Sequence, residues 1–155
     1  MVANDPAAPG WFPDEHVIAD DAPGLGPLGG IATALATALA TADGAGILVV
    51  AWDMPFLSVE LLAELRCLGR AGVDAAVPRH HGRIEPLCAW YGPAALRTCR
   101  ALLAAGQRRA AALAESLSRV EWLEGTALES LGDPEHLFTS VNTPEKLAAL
   151  GGAHP

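Results

Sequence analysis

Positive charge is scarce in this chain: Lys and Arg total 10 against 18 Asp and Glu, for a net charge of −8. No segment carries cations at the density that binding a phosphate backbone requires, which excludes nucleic acid as a partner. An anionic small molecule would need a local cation to offset the overall field. Cysteine is sparse as well. Cys67, Cys88 and Cys99 are widely separated and form no CxxC or Cys/His cluster, so neither a zinc site nor a disulfide framework is signalled. Scattered thiols suit a reducing cytoplasm, where a buried Cys serves as a small apolar residue. The stretch from Met1 to Trp11 has no apolar h-region and does not read as a signal peptide. The chain also lacks a Ser/His/Asp set, a reactive-cysteine context and a GxGxxG segment. Its histidines (His16, His80, His81, His136 and His154) share no metal-ligand spacing. His80 and His81 cannot easily face one ion from a strand, so both are expected to be solvated.

Apolar residues are abundant. They make up 51% of the 155 positions, enough for one domain, residues 1–155, with a sizeable core. Ala22 to Ala42 contains no charged side chain, yet it does not read as a membrane span. Pro23, Gly24, Gly26 and Pro27 interrupt its first third, and the remainder is too short. Leu28, Ile31, Leu35 and Leu39 share one helical face, with Thr33, Thr37 and Thr41 on the opposite one, as in an amphipathic helix.

Strand and helix signals alternate from there on. Ile47 to Trp52 (ILVVAW) is a short apolar run between Gly46 and Asp53, the pattern of a strand covered on both faces. Ser58 caps the next helix, whose buried side carries Leu61, Leu62, Leu65 and Leu68. Asp74 to Pro78 predicts a strand, His80-His81-Gly82 a polar turn, and Pro86 to Tyr91 a further strand. Gly92-Pro93 opens a helix with Leu96, Cys99 and Leu103 on its apolar face, and Gly106 closes it. A helix over Arg108 to Leu117, a short strand over Arg119 to Leu123 and a last helix starting at Thr143-Pro144-Glu145 complete the pattern. The predicted architecture is α/β with an open sheet. Met1 to Asn4 reads as the end of a strand, so the strand-loop-helix unit that usually opens such a sheet is absent.

Several residues fall where such a sheet gathers ligand contacts. Asp20 and Asp21 follow a short strand, His16 to Ala19; the plainer reading is a pair of loop acids. Gly26-Pro27-Leu28-Gly29-Gly30 leads into a helix start, where free N–H groups and the dipole favour an anion, although a tight turn explains part of it. Asp53 directly follows the apolar strand and offers a hard oxygen suited to Mg²⁺, or serves simply as a turn residue. Arg83 and Glu85 either contact a polar substrate or pair with each other on the surface. Arg108 and Arg109 sit at a helix start, a poor place for cations, which hints at a role outside the helix; a solvated basic pair is the plainer reading. Thr143, Pro144 and Glu145 make a complete helix start, which leaves Asn142 unaccounted for.

Taken in order, these segments resemble the molybdenum-cofactor guanylyltransferase family. The matching pieces are VIADD (Val17 to Asp21), GPLGGI (Gly26 to Ile31), DMPF (Asp53 to Phe56), EPLCAWY (Glu85 to Tyr91), AGQRR (Ala105 to Arg109) and SVNTPEKL (Ser140 to Leu147). EPLCAWY and VNTPE favour the guanylyl branch over the cytidylyl one. The resemblance implies a Rossmann-like, open, mostly parallel sheet of the nucleotidyltransferase type. It further implies GMP transfer from GTP to molybdopterin with Mg²⁺, in the cytoplasm, with cofactor-biosynthesis proteins and recipient molybdoenzymes as partners and no membrane association. Asp20 and Asp53 match GTP-contacting acids, and Asp53 also matches the magnesium ligand. Gly26 and Gly30 match functional glycines, and Asn142 matches the second asparagine of the family's NVNTPE segment. Arg108 and Arg109 are assigned here to hold an anionic pterin or phosphate.

The chain departs from the family at two points. Ser140 replaces the first asparagine of NVNTPE. The signature resembling LAGGxSxRMGxxK is not in the sequence, so the first strand-loop-helix unit is expected to be missing through a start placed too late, leaving exposed the edges that its strand would pair. A related cytidylyl or sugar-nucleotide transferase, a catalytically inactive remnant, and a binding module without nucleotide chemistry are the alternatives.

Overall fold

The computed structural model describes residues 1–5, 7–11, 14, 16–21, 23–41, 46–143 and 145–146. The helices are α1 (Ala8–Trp11), α2 (Gly26–Thr41), α3 (Val59–Arg70), α4 (Ala94–Ala104), α5 (Ala111–Ser116), α6 (Gly125–Glu129) and α7 (Pro134–Leu137). The strands are β1 (Ile47–Val50), β2 (Ala75–His80), β3 (Arg83–Ile84), β4 (Cys88–Tyr91) and β5 (Val120–Leu123). The α/β architecture is the predicted one.

The sheet runs β1-β4-β2-β3, with β5 pairing the first part of β2. β4 lies antiparallel to both β1 and β2, whereas β5 lies parallel to β2. β1, β2 and β5 therefore share one direction, and the reversed β4 is wedged between two of them. Tyr91 is level with both Ile47 and Ala75. Val50 and Pro78 are then also level, and the chain leaves β1 and β2 at the same sheet edge. That edge is also where β4 begins.

Alternation of side chains across the pleat divides the core in two. Ala75, Val77, Ala89 and Tyr91 face one side, against Leu28, Ile31 and Leu35 of α2, Ala95 and Cys99 of α4, and Leu113 of α5. Ala76, Cys88 and Trp90 face the other, against Leu61 and Leu65 of α3, Leu128, Leu137 and Phe138. Burial of each such leucine contributes about 1.5–3 kcal/mol. Both faces of β2 and β4 are thus covered. β1 differs from its expectation: it ends the strand path, its residues are half-buried, and Val50 is 45% exposed. Its apolar run is nevertheless covered in part on both faces, Ile47 and Val49 packing against one core and Leu48 against the other.

Local chemistry explains the helix boundaries. The Ser58 hydroxyl accepts from the Leu61 amide and donates to the Leu131 carbonyl, so one side chain caps α3 and ties it to the turn before α7. Asp133 caps α7 through the Glu135 amide, with Pro134 as the first helical residue. The expected strand over His16 to Ala19 is reduced to an isolated parallel bridge, Val2 to Ile18. Thr143 Oγ1 accepts from the Lys146 amide, as a helix cap should, but the rest of the last predicted helix lies outside the described residues. Among the described residues no helix is long and apolar enough to cross a membrane.

Candidate active site

The predicted site residues fall into two groups. The first surrounds the start of α2. Asp20 is almost fully buried; its Oδ1 accepts the Thr33 hydroxyl at 2.6 Å, and its amide donates to Asn4 Oδ1. Thr33 also accepts from the Asp21 amide at 3.0 Å. This corrects the assignment of Thr33 to the solvent face: it is 2% exposed, because its hydroxyl turns inward to the carboxylate. Asp20, Asp21, Gly29, Thr33 and, from α4, Arg100 and Leu103 line a pocket of about 140 Å³. Arg100 is the local cation that an anionic ligand would need there.

Gly26 has φ +68°, which disfavours any other residue, and a Cβ on it would meet the Arg108 carbonyl oxygen at 3.7 Å. Gly30 is free of such crowding. The tighter position is Gly29, where a Cβ would come within 2.8 Å of Leu25 and 3.3 Å of Asp20. Sequence reasoning did not single out Gly29, Thr33 or Arg100. Thr33 was legible only as part of a threonine stripe.

Arg108 and Arg109 do not occupy a helix start. They lie in the loop before α5, which begins at Ala111, and Gln107 Oε1 accepts both of their amides. The Arg108 guanidinium donates to the Leu103 carbonyl in the last turn of α4 and to the Gln107 carbonyl in the loop beyond it. There a cation complements the helix dipole, which removes the electrostatic conflict seen in the sequence. Arg109 pairs with Glu115 at 3.2 Å on the surface.

The second group closes the end of β1. Asp53 is half-buried in the turn after the strand. Its carbonyl accepts the Val141 amide at 2.7 Å, and its Oδ2 accepts the Ser140 hydroxyl. Asn142 Nδ2 in turn donates to Ser140 Oγ at 2.9 Å. A directed chain of donors, Asn142 to Ser140 to Asp53, thus joins segments that are far apart in sequence, and each bond polarises the next. Ser140, a departure from the expected asparagine, is the link.

Beside this edge β2 and β3 form a hairpin through His81 and Gly82, both at positive φ (49° and 79°). That pairing defines a type I′ turn and explains why a Gly sits at its second position. Arg83 pairs with Glu85 at 2.7 Å, but not on the surface as expected: Glu85 is buried. Burial holds its carboxyl above the usual range; Arg83 pulls it back down, and Glu135 pushes it up. The histidine expectation holds only in part: His81 is exposed, but His80 is half-buried and the two side chains converge. His80 Nε2 lies 3.4 Å from Glu135 Oε1, and the His80 and His81 rings lie in tilted contact with centroids 3.9 Å apart. The left-handed turn at His81 breaks strand alternation, so neighbouring side chains converge instead of diverging.

An open sheet covered on both faces, with polar side chains gathered where its like-directed strands end, defines the α/β class that binds ligands at that edge. Residues 1–120 match the model of the MobA-like NTP transferase domain. The chain is 36% identical over 154 residues to a probable molybdenum cofactor guanylyltransferase of Chloroflexus aggregans, covering 95% of this chain and 69% of that protein. It is 38% identical over 132 residues to a protein of the same name from Pelotomaculum thermopropionicum, covering 85% of this chain and 62% of the relative. The crystal structure of molybdopterin-guanine dinucleotide biosynthesis protein A from Archaeoglobus fulgidus superposes with a TM-score of 0.76 at 28% identity, covering 96% of this chain and 74% of that one. The chain belongs to the MobA-like NTP transferase family. It spans between 62% and 69% of the length of the two relatives compared by sequence.

Proposed function

We propose that the protein transfers GMP from GTP to molybdopterin. The terminal phosphate of the pterin attacks the α-phosphorus of GTP, a new phosphoanhydride bond forms, the α–β bond breaks and pyrophosphate leaves. The observation that carries this reading is the Asn142–Ser140–Asp53 chain, which unites two family segments at the end of β1. In such a reaction the protein positions reactants and stabilises charge, so no covalent nucleophile is required.

The donor set at this point suits Mg²⁺. A half-buried carboxylate, a hydroxyl and a carboxamide are all oxygen-bearing hard groups, and Mg²⁺ takes one or two carboxylates and keeps several waters. When bound, the ion would supply Lewis-acid charge stabilisation for phosphoryl transfer. Asp53 would hold it, with the Ser140 hydroxyl fixing the rotamer of that carboxylate. Asp20 and the glycine-flanked start of α2 form the nucleotide side. Its buried carboxylate accepts from donors such as ribose hydroxyls or guanine N–H groups, and the open space over Gly30 admits a ligand backbone. Gly26 keeps that turn in its left-handed form. Arg108 and Arg109 are the remaining candidates for anion contacts, and Arg109 must leave its exposed pair with Glu115 to act. The setting we assign is the cytoplasm, with cofactor-biosynthesis proteins and recipient molybdoenzymes as partners.

Pyrophosphate release with GTP, molybdopterin and Mg²⁺ tests the assignment. Asp53→Asn should lower turnover by roughly 10²–10³-fold with an unchanged circular dichroism spectrum. Turnover that is undiminished in this variant, or faster with CTP than with GTP, would sink the reading.

A further inference from the structure

His80, His81 and Glu135 offer three ligand atoms that all lie within 4.8 Å of one another. Three independent local features bring them there. β2 carries His80 to the sheet edge. The left-handed turn swings His81 back over it, with the rings tilted by 49°. Asp133, capping α7, fixes the helix start from which Glu135 reaches His80. The two side chains contributed by the hairpin and the one contributed by α7 are 54 or 55 positions apart in sequence, so their convergence is tertiary.

We propose that His80, His81 and Glu135 bind one divalent transition-metal ion of the zinc class, at a site separate from the oxygen donors of Asp53. Imidazole nitrogen selects Zn²⁺, Co²⁺, Ni²⁺ or Cu²⁺ over Mg²⁺, which prefers an all-oxygen shell. Tetrahedral zinc at its usual bond lengths of about 2.1 Å holds ligand atoms about 3.4 Å apart. The His80–Glu135 distance of 3.4 Å already meets that separation, and rotation of the exposed His81 ring closes the rest. Three protein ligands leave a fourth position for water. A cation here also offsets the repulsion between Glu135 and Glu85. Bound metal would staple α7 to the β2–β3 hairpin, and α7 leads directly into Ser140 and Asn142.

The site is accessible, and its variants need not disturb the fold. His81→Asn retains a residue that tolerates positive φ, and Glu135→Gln keeps size and shape. Zinc alone is titrated calorimetrically into untagged full-length protein bearing Cys67→Ser, which removes the exposed thiol as a competing ligand. One ion per chain is expected, undisplaced by millimolar Mg²⁺. Each variant should weaken binding by at least about tenfold, the lower limit even for outer-shell ligand partners. Zinc should raise Tm in the parent protein and not in the double variant. Co²⁺ in place of Zn²⁺ should give the intense visible bands of a low-coordinate site. Absence of binding, displacement by Mg²⁺, or affinity unchanged in the double variant would each overturn the proposal. All readouts are independent of nucleotide turnover, so failure here leaves the guanylyl-transfer reading to its own test.

Discussion

Thr33 and Ser140 each set a hydroxyl against a carboxylate, Asp20 and Asp53 respectively. A hydroxyl can accept from one neighbour while donating to the next, and both residues do so: Thr33 accepts from the Asp21 amide and Ser140 from Asn142. Among the described residues neither carboxylate is in an ion pair, so both are held ready for a ligand. The thiols show the opposite logic. Cys88 and Cys99 are fully buried, and burial pushes both up to about 12, the nearby Glu85 adding to the effect at Cys88. Cys67, on the outer side of α3, is exposed. Because only a thiolate attacks disulfide reagents, native protein should react at Cys67 alone, and all three thiols should react in denaturant. Fast native labelling of Cys88 or Cys99 would contradict the packing around β4 and α4.

Among the elements, α3 and β4 meet at a position that admits no side chain. A Cβ on Gly69 would lie 2.1 Å from the Trp90 ring. Gly69→Ala should destabilise by about 1–3 kcal/mol, as overpacking does, whereas the same change at Gly10, with nothing within 4 Å, should not. Urea unfolding compares the two. The reversal of β4 also explains the layout of motifs. Strands of the common direction carry their polar residues after the strand, as Asp53 follows β1. β4 runs the other way, so Glu85 and Pro86 precede it.

Periodicity and caps disclosed most elements. Ser58, the apolar face of α3, Gly106 and the run before Asp53 could be read directly, because each depends on neighbours in sequence. The direction of β4, the inward turn of Thr33, the capping role of Arg108 and the meeting of His80 with Glu135 depend on partners far along the chain. α6 and α7, of five and four residues, are too short for periodicity to register. Within the candidate site, Asp53 and Asn142 could be chosen from sequence, but Ser140 could not be identified as their link.

For the molecule as a whole, cohesion is uneven. β2 pairs with β3, β4 and β5 and has a core on each face, while β1 contacts only β4 within the described sheet. Residues 1–5 and 16–21 are tied together by a single bridge and a few hydrogen bonds. Native-state hydrogen exchange should therefore be slowest in β2 and β4, intermediate in β1, and fastest around Val2 and Ile18, following local opening free energies. Protection at Val2 equal to that at Val77 would contradict this order.

Eighty-seven positions separate Asp53 from the serine that bonds it. A ribosome adding 5–20 residues per second needs roughly 4–17 s to cover that stretch. Throughout that interval the nascent chain carries the carboxylate without its hydroxyl partner. β5 ends at Leu123, so every strand of the described sheet is synthesised before Ser140 exists. A product that stops between Leu123 and Ser140 can contain the whole described sheet and still lack the assembled candidate site. Completion of the site is thus a late event in the life of each molecule, and it reports that translation has passed residue 140.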